Sequence, residues 1–177
     1  KQGEDEIRFI VGRFVGALTS RHFRFFWLQA YLSSVEKLMI FNLLLYPYER
    51  AVQYTGDQLG LYMVKGDLEV ASRTLIKLVV GRDVADQVNL EGFLEQGIQS
   101  RGSFFAWLAR ALSRFPHNTH RVANLFRFGM HYYPELTTRY VDQLPESTQS
   151  VTRLAMERQK ATGGPLPANR AHTAFDI

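Results

Sequence analysis

Between residues 4 and 20 the apolar side chains Ile7, Ile10, Val11, Phe14 and Leu18 recur at intervals of three and four, the spacing of one helical face. That face predicts an amphipathic helix in which Phe14 fills core rather than touching a ligand. A second helix is predicted over residues 23–46, apolar nearly all round and so buried centrally or against a partner, with Pro47 closing it. Proline suits a helix start, so a third runs over 48–64 and stops at Lys65-Gly66.

Asp67 is placed to cap a helix over 68–80 that ends at Gly81, Asn89 to cap a short one through Glu95, and Ser103 to cap another through Arg114. Pro116 interrupts. Residues 119–130 resume, with Val122, Leu125, Phe126 and Gly129 on one side, and helices over 134–144 and 146–160 follow. No run alternates with a period of two beyond a few residues, and no internal repeat is present, so the predicted fold class is all-α. The Gly-Gly-Pro-Leu-Pro-Ala-Asn stretch has turn and linker composition. It predicts an extended arm over 162–177 behind a helical domain over 1–161.

With 177 residues the chain has room for one domain and a sizeable core. Lys and Arg number 21 against 17 Asp and Glu, a mild surplus rather than the basic stripe that a phosphate backbone requires, so nucleic acid is not an expected partner. No cysteine is present, which removes disulfides, thiolate catalysis and Cys-ligated metals and agrees with a reducing compartment. The first residues, Lys-Gln-Gly-Glu-Asp-Glu, do not resemble a signal peptide, and the missing initiator Met reads as a fragment or processed product. Glu36 and Lys37 split the most apolar stretch into runs shorter than the ~20 residues of a bilayer span. Peripheral contact with a membrane through its aromatic residues stays open.

Arg21, His22 and Arg24 lie beside Phe23, Phe25, Phe26, Trp27 and Tyr31, a mixture found on contact surfaces and equally on half-buried helices whose arginines reach water. His117 and His120 are three apart without an acidic partner, a weak metal signal. Walker-type, G-x-G-x-x-G and G-x-S-x-G motifs are absent.

The segment Glu6-Ile-Arg-Phe-Ile-Val-Gly-Arg13-Phe14-Val-Gly-Ala17-Leu-Thr-Ser-Arg-His22 resembles the active-site helix of the HtpX-like zinc metallopeptidases, the gluzincin family that includes the CAAX prenyl proteases. In that family the helix reads approximately D-E-L-R-F-V-I-G-H-E-L-G-H. Downstream, Gln53-Tyr-Thr-Gly-Asp57-Gln-Leu-Gly60 resembles the family's E-x-x-x-D-R-x-G motif, and Pro116 with Arg121 resembles its T-H-P-x-x-x-x-R element, Phe115 standing in the His position. The resemblance covers residues 4–125. It implies the helical part of a gluzincin-like domain.

The resemblance also implies that Arg13, Phe14, Ala17 and Gln53 stand where the family has its first zinc-binding His, its catalytic Glu, its second His and its third ligand. A catalytic zinc needs three protein ligands and an open position, with the Glu as base. Arg13 carries a permanent positive charge, Phe14 has no group to move a proton, Ala17 has no donor atom, and Gln53 offers a neutral amide. Asp57 alone is kept, at a position that orients a zinc-bound His in the family. The expectation is a pseudopeptidase with no catalytic residues, metal or cofactor, in which Arg13 and Asp57 form an ion pair across two helices, joined by Gln53.

Its expected role is that of a structural or accessory subunit whose partners are other proteins, reached through the aromatic segment around Phe23, Phe25, Phe26, Trp27 and Tyr31 and through the arm. The alternative is a regulatory pseudoenzyme that holds peptides or lipidated chains in the former substrate groove. Either role suits a cytoplasmic or organellar interior or a membrane periphery.

Overall fold

Capping chemistry sets several helix boundaries. The Asp67 carboxylate accepts a hydrogen bond of 3.0 Å from the Val70 amide, and Gly81 ends the same helix at φ +88°. Asn89 Oδ1 accepts from the Glu91 amide at 3.0 Å. Lys65 at φ +55° and Gly66 at φ +84° turn the chain between two helices, the left-handed backbone that glycine adopts without steric cost.

The computed structural model describes residues 2–19, 39–81, 85, 87–99 and 118–161. Among them are seven helices and no strand: α1 Gln2–Thr19, α2 Met39–Met63, α3 Leu68–Val80, α4 Leu90–Gln99, α5 Asn118–Tyr132, α6 Pro134–Gln143 and α7 Glu146–Ala161. The all-α expectation holds for this part of the chain. The predicted helix over 103–114, Pro116, the segment containing Phe23, Phe25, Phe26, Trp27 and Tyr31, and the arm over 162–177 lie outside the described residues.

α5 is the centre of the assembly, packed on α2, α3, α4, α6 and α7. Its Val122, Leu125, Phe126 and Phe128 join Phe9, Leu61, Leu68, Leu75, Leu94 and Val141 in one core. Each such side chain contributes about 1.5–3 kcal/mol by leaving water. Among the described residues no helix is long and apolar enough to cross a membrane.

Two expectations are corrected. Pro47 does not close a helix: α2 runs unbroken from Met39 to Met63 with Pro47 inside it. Proline removes one backbone hydrogen bond and crowds the preceding turn, at a cost of about 3 kcal/mol in a helix interior. Pro47 is exposed, where a freed carbonyl can turn to water, and burial of Asp57, Gln58, Leu59 and Leu61 anchors the helix beyond it.

The second correction concerns the face of α1. Ile7, Val11, Phe14, Val15 and Leu18 are exposed, Phe14 by 67%, so Phe14 is not core filling. The buried face carries Phe9, Gly12 and Gly16 instead. α2 presents Gly56 and Gly60 to it, and the pairs Phe9–Gly60 and Arg13–Gly56 show the two helices running antiparallel. A Cβ at Gly60 would lie 2.8 Å from the Phe9 ring and 2.9 Å from the Phe9 carbonyl oxygen, so the backbones meet where side chains are missing. Lys77 Nζ, 2.6 Å from Glu6 Oε1, ties α1 to α3 as well.

Candidate functional site

The glycine contact brings α1 within reach of the polar stripe of α2. Gln53 and Asp57 are four residues apart and share one face of that helix. A Cβ at Gly56 would sit 3.1 Å from the Arg13 carbonyl oxygen, and that close approach carries the Arg13 side chain onto the stripe. Arg13 Nη2 donates to Gln53 Oε1 at 3.1 Å, and Arg13 Nε lies 2.7 Å from Asp57 Oδ1. The expected ion pair across the two helices, joined by Gln53, is present.

α5 supplies a further member. Arg121 grips the Asp57 carboxylate side-on, Nε donating to Oδ2 and Nη2 to Oδ1, both at 2.7 Å. Its Nη1 donates to Asn118 Oδ1, one turn back on α5, at 3.2 Å. The resemblance sets Arg121 in its late element but not against Asp57. The available signal was an Arg three residues after an Asn at the start of a helix with an otherwise apolar face.

Asp57 is therefore a wholly buried carboxylate between two guanidiniums, with side-chain exposures of 17% for Arg13 and 11% for Arg121. The two attachments differ in quality. Arg121 makes two aligned hydrogen bonds, whereas the Arg13 Nε–H is not directed at the oxygen it approaches and has no hydrogen-bond partner. Burial pulls the Arg13 guanidinium below its ordinary pKa; the Asp57 charge opposes that pull and the Arg121 charge adds to it.

No family model, curated protein or solved structure matches this chain. The site is therefore read from its own chemistry. A divalent cation needs several anionic or neutral donors with free lone pairs converging on one point. Here the one carboxylate is taken by two permanent cations, the Gln53 carbonyl accepts from one of them, and the net charge of Arg13, Asp57 and Arg121 is +1 (two cations, one anion). The zinc that the resemblance implies for the family does not fit these residues. Among the described residues no group of three His, Cys, Asp or Glu side chains could hold a metal ion.

The other positions singled out from the sequence divide. Ala17 lies on α1 one turn beyond Arg13. Phe14, next to Arg13 in sequence, is turned to solvent and takes no part in the cluster.

Proposed function

We propose that this chain is a catalytically inactive homologue of the HtpX-like metallopeptidases that serves as a structural or accessory subunit of a larger protein assembly. One observation carries the reading. Positions 13, 53, 57 and 121, which the resemblance draws from three separate stretches of sequence, converge in one cluster. What they build is a cation–carboxylate lock between α1, α2 and α5 in place of a ligand set.

The lock holds α2 to α5 firmly through Arg121 and reaches α1 loosely through Arg13, rather than forming a reaction centre. The chemistry of metal-assisted hydrolysis requires a polarised water and a base beside it. The cluster offers neither, since its carboxylate is held on both oxygens and its amide is neutral. Binding is the role proposed, and the exposed Ile7, Val11, Phe14, Val15 and Leu18 of α1 supply apolar surface of the kind used in protein contacts.

A second reading draws on Phe14 itself. At the position of the family's catalytic base stands a largely exposed aromatic ring. Such a ring suits a regulatory pseudoenzyme that holds a peptide or lipidated chain without cutting it.

The native mass and partner list of the endogenous protein, from gentle affinity purification and mass spectrometry, separate the readings. A defined complex of fixed stoichiometry is the expected result. A free monomer with scattered peptides transfers support to the regulator, and stoichiometric zinc with chelator-sensitive cleavage of a denatured protein overturns both.

A further inference from the structure

The triad is unevenly bonded. Arg121 occupies both oxygens of Asp57 with aligned hydrogen bonds, so Arg13 is left with a misaligned contact to one oxygen and a single hydrogen bond to a neutral amide. Its Nη1 donates to none of the described residues, while its side chain stays partly open to solvent. Arg121 adds a like charge at close range. A guanidinium is a planar fork of donors suited to two-point contact with an oxyanion, and such contacts strengthen where water is partly excluded.

We propose that the outer edge of the Arg13 guanidinium, beside Arg121, binds a small oxyanion, either a carboxylate or a phosphate group. The ligand supplies the negative charge that the triad lacks and accepts from the Nη groups that Asp57 and Gln53 leave unused. Asp57 stays in place as the internal counter-ion, and Gln53 holds the fork in orientation from the opposite side. This inference rests on the geometry of the triad alone and stands apart from the metallopeptidase reading.

The test is thermal unfolding of the whole chain at neutral pH in sodium phosphate, sodium acetate and sodium chloride at matched ionic strength. At about 20 mM oxyanion the midpoint should exceed that in chloride by about 3 °C, as a site filled several-fold above its Kd gives. A rise with phosphate alone identifies a phosphate site. A rise with acetate identifies a carboxylate site.

Arg13→Gln, which keeps an amide but removes the charge, should abolish the rise, whereas Arg8→Gln on the exposed face of α1 should retain it. Should Arg13→Gln fail to fold, Arg13→Lys takes its place. Loss of the fork should then weaken the oxyanion effect about tenfold in concentration. No rise over chloride, or an undiminished rise in the folded Arg13 variants, overturns the proposal.

Discussion

Asp57 and Arg121, sixty-four residues apart in the chain, meet through two parallel hydrogen bonds of 2.7 Å with the carboxylate wholly buried. A buried carboxylate held in this way cannot be removed cheaply, because two guanidiniums would then face each other unneutralised. Asp57→Asn should cost about 3–5 kcal/mol of unfolding free energy. Urea denaturation of the variant against the parent measures it.

The two arginines should be partly redundant. Burial depresses the Arg13 pKa, which means that the charged side chain is less well solvated folded than unfolded and its charge counts against stability at neutral pH. Arg13→Met should therefore be tolerated to within about 1 kcal/mol, and Arg121→Met should cost about 1–3 kcal/mol because aligned bonds are lost. The double variant strands Asp57 and should cost more than the sum of the singles. A double-mutant cycle in urea reads the coupling.

Gly60→Ala should be destabilising by about 1–3 kcal/mol, since the added methyl meets the Phe9 carbonyl, which is backbone and cannot swing away. Gly92, in α4, has nothing within 4 Å of its would-be Cβ. Gly92→Ala should raise stability by about 0.5 kcal/mol through helix propensity. Thermal unfolding of the pair checks both signs.

Stability should fall in alkali. Burial raises the pKa of Tyr140 and Tyr133 above the ordinary value of 10.0; at Tyr140 a hydrogen bond with Ser72 and the Arg73 charge oppose the rise while Glu69 and Asp67 add to it, and at Tyr133 Tyr62 adds to it. Below about pH 10 both phenols are protonated folded or unfolded, and their contribution is fully present. Above it the unfolded state loses protons first, so the contribution fades as pH rises through the folded-state values. Tyr140→Phe should flatten that part of a stability-against-pH curve.

The boundaries legible in the sequence were those written in local chemistry. Asp67, Gly81, Asn89 and Pro134 mark helix ends in the structure because caps and turns depend on a few neighbouring atoms. The Arg13–Asp57 pair was legible only through the resemblance, which sets both positions beside one former metal site. The face of α1 was not. Periodicity counts side-chain apolarity, and it gave Ile7, Val11, Phe14 and Leu18 to the core, whereas the contact with α2 is made by Gly12, Gly16, Gly56 and Gly60 through their missing side chains. Pro47 misled for a related reason: local propensity ends a helix there, and tertiary packing farther along α2 carries it through.

Zinc binding by a restored ligand set bears most directly on the claim that Arg13, Phe14, Ala17 and Gln53 occupy a lost metallopeptidase centre. Arg13→His, Phe14→Glu, Ala17→His and Gln53→Glu should be combined in one chain, its fold checked by circular dichroism, and its metal content measured after dialysis alongside the parent. The account predicts one zinc per chain in the variant, with a raised unfolding midpoint when zinc is present, and none in the parent. A folded variant without zinc, or a parent that holds zinc stoichiometrically, would contradict it.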